Sequence, residues 1–284
     1  MMFSYHANDK LHIEKVYLLV KNMRNSLTFY QNILGFEVIS FDKSTALLGT
    51  KTNGFIHLTE DQNALEASVT LGLYHFAILV PERKDLAYFL NRLKNARYPI
   101  TGASDHGVSE AIYLDDPDGN GIEIYRDRDV LEWPLLNGNL DMYTKRLDLQ
   151  ALLNEFDPNR DELPQGTLLG HLHLHVDDLE SAETFFVSCL GFKKTMLYQK
   201  SALFIADGGY HHHLGLNTWQ KGSPLCALRQ VGLKSYDLAI PEAEYQGLIH
   251  RIHELHIPIF TDESQTYIID PLQHRVYLRV KQSL

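Results

Sequence analysis

The sequence predicts an α+β fold of four βαβββ modules, whose curved sheets form cups with helices covering their outer faces. Two observations carry this reading. An alternating apolar strand, a short turn and an amphipathic helix recur four times, beginning at Lys15, His75, His171 and Ser235, at offsets of 60, 96 and 64 residues. Each helical stretch is then followed by strand-like runs, such as TALLGT (45–50) and GFIHLTE (54–60), or EAIYLDD (110–116) and GIEIYRD (121–127).

The elements follow in order. The first and third modules are twins, KVYLLVKNMRNSLTFYQNILGF (15–36) and HLHLHVDDLESAETFFVSCLGF (171–192). Each ends its helix at a glycine, Gly35 or Gly191, suited to a left-handed cap. The long middle offset leaves an interval from Asp129 to Thr167 that contains Pro134, Pro158, Pro164 and a predicted short helix near Leu147 to Phe156. That length suits a crossover rather than a tight turn. The chain therefore divides into 1–128 (modules one and two), 129–167 (crossover linker) and 168–284 (modules three and four).

Strand alternation sorts side chains between the two faces of each sheet. Phe76, Ile78 and Val80 form one row, with His75 and Ala77 opposite; Leu172, Leu174 and Val176 form another, with His171, His173 and His175 opposite. Ile122 and Ile124 likewise oppose Glu123 and Tyr125. Helices must bury the apolar rows, so the other face is a cup that holds His75, Glu123 and His171. Two imidazoles and a carboxylate are the donor set of a non-haem Fe(II) site, and one that also accepts Mn, Ni or Zn. At the first-strand position modules one and four carry Lys15 and Ser235, and module four carries Tyr277 in place of Glu123. One metal site per chain follows, drawn from modules two and three.

Composition excludes several classes. Lys plus Arg number 26 against 36 Asp plus Glu, a net charge of −10, which argues against nucleic-acid and anionic-membrane partners. No apolar run approaches the roughly 18 residues that span a bilayer, and the polar opening, Met1 to Lys10, has no secretory core. Cys189 and Cys226 are the two cysteines, no disulfide framework, which fits a reducing cytoplasm. Cys189 reads as core. His250, His253 and His256, at helical spacing, read as a solvated helix face, and His57 as a polar lining or surface residue. Arg83–Lys84 and Arg126–Arg128 read as charge clusters that serve solubility. An acidic protein of this kind can also form a homo-oligomer.

With these residues in view, the sequence resembles the vicinal oxygen chelate superfamily of glyoxalases, fosfomycin-resistance thiol transferases and extradiol dioxygenases, whose βαβββ modules pair into metal-holding cups. The segment from His106 to Glu123 looks most like the extradiol signature: a His, five residues, Ile112–Tyr113, DPDG at 116–119, then a Glu four residues past the glycine. Ser104, two positions before the His, departs from that pattern. The resemblance implies an Fe(II)-dependent ring-cleaving dioxygenase of the catechol 2,3 type. Its partners would be a catechol-like or hydroquinone-like aromatic and O2, its metal ligands His75, Glu123 and His171, and its substrate-orienting groups His106 and Tyr113. A further His acts as acid–base catalyst: the family register points to His212, while alternation places His213 in the cup. Both are carried as candidates, and Trp133 and Trp219 as pocket residues.

The usual two-domain extradiol enzymes draw their ligands from modules three and four. Ligands from two and three require a crossed pairing, two with three and one with four; a pairing of one with two and three with four would separate them. A glyoxalase-type metal-dependent lyase or isomerase is the alternative, disfavoured because the position of its second carboxylate base carries the His triplet. A metal-free small-molecule binding protein of the same fold is the other.

Overall fold

The computed structural model describes residues 4–160, 162–262 and 265–282; residues 1–3 of the polar opening segment lie outside them. Module one consists of β1 (His12–Val20), α1 (Met23–Leu27), β2 (Glu37–Asp42), β3 (Thr45–Gly49) and β4 (Gly54–Glu60). Module two follows as β5 (Gly72–Leu79), α2 (Arg83–Ala96), β6 (Gly102–Asp105), β7 (Ser109–Asp115) and β8 (Gly121–Asp127). The crossover holds β9 (Leu135–Leu136), β10 (Asn139–Leu140), β11 (Lys145–Arg146) and α3 (Leu149–Leu153), the last within the stretch predicted to be helical. Module three is β12 (Leu168–His175), α4 (Leu179–Glu183), β13 (Lys193–Tyr198), β14 (Ala202–Ala206) and β15 (Leu214–Asn217). Module four is β16 (Gly232–Pro241), α5 (Glu242–Glu254), β17 (Phe260–Asp262), β18 (Gln265–Ile269) and β19 (Arg275–Lys281).

The twin modules start and stop their helices alike. Asn22 accepts from the Asn25 N–H at 3.0 Å and Asp178 from the Ser181 N–H at 2.7 Å, each satisfying a donor the helix leaves free. Both helices then widen into π-helical turns, Thr28–Leu34 and Thr184–Cys189. Gly35 and Gly191 take left-handed φ values of +91° and +99°, as their spacing predicts.

The strands join into two large sheets, and these cut across the divisions along the chain. One runs β17-β18-β19-β16-β1-β4-β3-β2, from modules four and one; the other runs β11-β6-β7-β8-β5-β12-β15-β14-β13, from modules two and three with a short crossover strand at its edge. The seams are antiparallel: β1 pairs with β16, and β5 with β12. Phe76, Ile78, Val80, Leu172, Leu174 and Val176 all lie in one buried apolar core, with Val16, Leu18, Tyr236 and Leu238 of the other sheet and the apolar faces of the helices.

The DPDG segment is a turn-builder. Asp116, buried, accepts from the backbone N–H groups of Asp118 and Asn120, from the Asn120 amide and from the Tyr30 hydroxyl, all within 2.9 Å. Burial pushes its carboxyl up to about 6. Asp270 closes the equivalent turn of module four, accepting from Leu272 and His274 N–H and from the Tyr236 hydroxyl. The motif thus sets the angle at which β8, with Glu123, enters the sheet.

The charge clusters have a structural role beyond solubility. Glu110 on β7 is buried, and three guanidinium groups converge on it: Arg83 at 2.8 Å, Arg126 at 2.7 and 2.9 Å, and Arg128 at 3.2 Å. Arg128 also meets Asp105 at 2.9 Å. Glu110→Ala would leave Arg126 without a carboxylate partner and Arg83 and Arg128 with only their outer ones, Glu155 and Asp105. Because the arginines are partly solvated, the expected cost is near the low end for a broken buried pair, about 3 kcal/mol. A lower urea midpoint at unchanged slope measures it.

Candidate metal centre

The seam between β5 and β12 builds the site. His75 sits opposite His173 and Ala77 opposite His171, while β8 runs parallel to β5 with Glu123 beside Ala77. Ala77 therefore stands between Glu123 and His171, and its methyl group leaves them room to meet. Glu123 Oε2 lies 3.2 Å from His171 Nε2 and 2.9 Å from His75 Nε2, with all three residues buried. The His75 contact is too poorly angled to be a hydrogen bond, so its Nε2 is a buried polar atom with no partner. Cis donors at ~2.1 Å from a shared ion stand ~3 Å apart, the spacing of Glu123 from each of the two histidines.

The protonation states fit the same use. Burial pushes the His171 ring down to about 4, so it is neutral at pH 7. Burial alone would raise the Glu123 carboxyl, but His171 and His75 outweigh it and hold the group well below the usual carboxylate range. For His171 and Glu123, a neutral imidazole and an ionised carboxylate are the metal-binding forms. Among the described residues, His75, Glu123 and His171 are the donor group whose ligand atoms lie within 4.8 Å of one another.

His106 and Tyr113 stand together beside this group. Tyr113 faces Glu123 across β7 and β8. His106 Nδ1 lies 3.0 Å from the Tyr143 carbonyl, an acceptor, so in the neutral ring Nδ1 carries the hydrogen and Nε2 accepts from the Tyr113 hydroxyl at 2.7 Å. Burial, then Glu123, raises the Tyr113 hydroxyl well above its ordinary value, so it remains a donor at neutral pH. Tyr143 belongs to the crossover, which with Met142 and Thr144 walls the pocket.

The pocket is a cavity of about 430 Å³ lined by His75, Glu123, His106, Tyr113 and His212; His171 is not part of the lining. Its mouth is aromatic: Tyr74 packs 5.2 Å from His173 and 5.5 Å from Trp219. A cavity of this size, largely apolar with a few convergent polar groups, is the form of a small-molecule site.

The His triplet resolves into three environments. His212 lines the cavity and packs 4.2 Å from the His171 ring. His213, carried above as a second candidate, does not face the cavity. Its Nδ1 accepts from the Asp207 N–H at 3.2 Å, its Nε2 donates to the Tyr5 carbonyl at 2.9 Å, and it packs against His6 and Tyr210. Alternation misplaces it because β15 begins only at Leu214, and the irregular segment before it has no period of two. His211 lies buried behind the wall, 5.2 Å from Trp133, which is likewise outside the lining, whereas Trp219 is part of it.

His173 and Tyr74 are lining residues that sequence reasoning did not single out. The shared face of His171, His173 and His175 was the available signal. Gly215, opposite His173 across β12 and β15, makes the site possible, since a Cβ there would stand 2.9 Å from the His173 ring.

The other sheet fills the corresponding place with a polar plug. Asp237, opposite Lys15 at the β1–β16 seam, meets Arg279 at 3.0 Å, the Tyr17 hydroxyl at 3.3 Å and Lys15 at 3.8 Å. His57 packs on Tyr17 there, half-buried.

Comparison with known proteins places the fold and the family. Residues 11–124 match the model of the Glyoxalase/Bleomycin resistance protein/Dioxygenase superfamily. The chain is 40% identical over 274 residues to a catechol-2,3-dioxygenase of Bacillus subtilis (strain 168), covering 93% of this chain and 95% of that protein. Among solved structures, it superposes on a putative dioxygenase from Bacillus subtilis subsp. subtilis str. 168 with a TM-score of 0.62 at 14% identity, over 97% of this chain and 86% of that one. Glyoxalase I from Zea mays gives a TM-score of 0.60 at 16% identity, over 94% and 92%. The chain belongs to the glyoxalase/bleomycin resistance/dioxygenase superfamily.

Proposed function

We propose that this protein is an Fe(II)-dependent extradiol dioxygenase that cleaves a catechol-like or hydroquinone-like aromatic with O2. The observation that carries the reading is a buried His75–Glu123–His171 donor set, of which His75 and Glu123 line an aromatic-mouthed cavity together with His106, Tyr113 and His212. The 40% identity to a catechol-2,3-dioxygenase over nearly the whole chain supports it.

The three donors would hold the ion, which when bound supplies Lewis acidity and a template for two reactants. The chain's own residues do the rest. The aromatic mouth takes up the substrate ring and excludes water around it. Tyr113, whose hydroxyl hydrogen goes to His106, is placed to accept from a substrate hydroxyl and fix its orientation. His212, whose Nδ1 meets His211 and whose Nε2 has no hydrogen-bond partner among the described residues, takes a substrate proton and later returns it. The unpaired thiols of Cys189 and Cys226 suit a reducing cytoplasm, and among the described residues no helix is long and apolar enough to cross a membrane.

The test is oxygen uptake by anaerobically purified, Fe(II)-loaded protein given a panel of catechols and hydroquinones, with His75→Ala as control. Uptake tied to one substrate and absent from the variant is the expected result. Bound metal with no uptake across the panel would overturn the reading in favour of a glyoxalase-type lyase or isomerase; failure to retain any divalent metal would favour a binding protein.

A further inference from the structure

Behind the cavity wall lies a chain of hydrogen bonds that the proposed chemistry does not yet use. His211 is fully buried; its Nε2 is 2.8 Å from Asp127 Oδ1, and its Nδ1 is 2.8 Å from Nδ1 of His212. The other oxygen of Asp127 accepts from the Tyr210 hydroxyl at 3.0 Å, and that hydroxyl lies 2.8 Å from the hydroxyl of Tyr125. Tyr210 and Trp133 pack on the His211 ring at 4.0 and 5.2 Å, so it has little freedom to turn. Asp127 closes the strand that carries Glu123, and Glu123, Tyr125 and Asp127 share one face of it.

The geometry points to Asp127 and His211 as positioning residues that fix the ring tautomer of His212. The reasoning needs only donors and acceptors. A carboxylate accepts, so His211 carries its hydrogen on Nε2. In the neutral ring Nδ1 of His211 is then bare and must accept from His212, which places the His212 hydrogen on Nδ1. Nε2 of His212 is left as a lone pair for the cavity. The opposite tautomer would aim an N–H at the substrate, where a proton has to be received. A buried aspartate orders the histidine of a serine-protease triad in the same way; here a second imidazole extends the reach by one ring. This inference rests on the reading of His212 as the acid–base group.

The test is a long-range 1H–15N spectrum of 15N-histidine-labelled protein, metal-free and loaded with Zn(II) as a diamagnetic ion, with His212→Gln identifying the His212 signals. The expected wild-type tautomer is Nδ1–H. In Asp127→Asn the side-chain amide can donate to His211 Nε2, which turns both rings over, so His212 should shift to Nε2–H. With the Fe(II) enzyme, kcat should then fall by about 10- to 100-fold, with KM and metal content unchanged, and Asp127→Glu should restore most of it. An Nε2–H tautomer in the wild type, or an unaltered Nδ1–H in Asp127→Asn, overturns the assignment. The spectrum needs no turnover. A protein inert towards every aromatic but showing the expected tautomers would overturn the dioxygenase reading alone; an active enzyme whose His212 ignores Asp127 would overturn this inference alone.

Discussion

Glu123→Gln is expected to abolish stabilisation by divalent metal and, with it, oxygen uptake, while the metal-free chain remains folded. Glu123 is the one negative charge in the donor set and contacts both imidazoles. A neutral amide keeps its size and can still accept from His171, so the metal-free variant should stay within about 1–2 kcal/mol of wild type. What disappears is the linkage. An ion at 100 times its Kd stabilises the native state by about 2.7 kcal/mol, or ~4–5 °C in Tm for a chain this long. Thermal melts with and without Mn(II) or Fe(II) should show that rise in the wild type and none in the variant. A full metal-induced shift in Glu123→Gln would remove this residue from the ligand set.

The second large effect is expected at His212, and it has the opposite signature. His212→Gln should retain metal and substrate affinity yet lose about 10²- to 10⁴-fold in kcat, the usual contribution of a positioned acid–base group. His212 packs on His171 without entering the donor cluster, and glutamine fills much of the same space. Steady-state oxygen uptake together with bound metal per chain separates the two roles. A fall in metal content that tracks the fall in rate would make His212 a support for His171 and not a participant in proton transfer.

What was legible in the sequence is what has a local period. His75, Glu123 and His171 were placed on one face because strands alternate, and the loss of those residues in modules one and four pointed to a single site. Alternation fails at His213, where the chain is irregular just ahead of β15. It also says nothing about partners far along the chain. Arg83, Arg126 and Arg128 look like solubilising charge until Glu110 is seen to gather them. Asp127 and His211 stand 84 residues apart, and no local pattern relates them. Tyr143 lies in a stretch that reads as linker, yet its carbonyl fixes the His106 ring.

The crossed seams also impose an order on the birth of the molecule. During synthesis, every strand of the proposed catalytic sheet has been made by residue 217, because β5 to β8 and β11 to β15 follow one another along the chain. β1, near the start, must wait for β16, near the end, before its second edge is covered. Until then the first module presents an open strand edge, the kind of surface that seeks a neighbour. The half of the protein that carries the proposed chemistry can close early, and the half that carries the polar plug closes last.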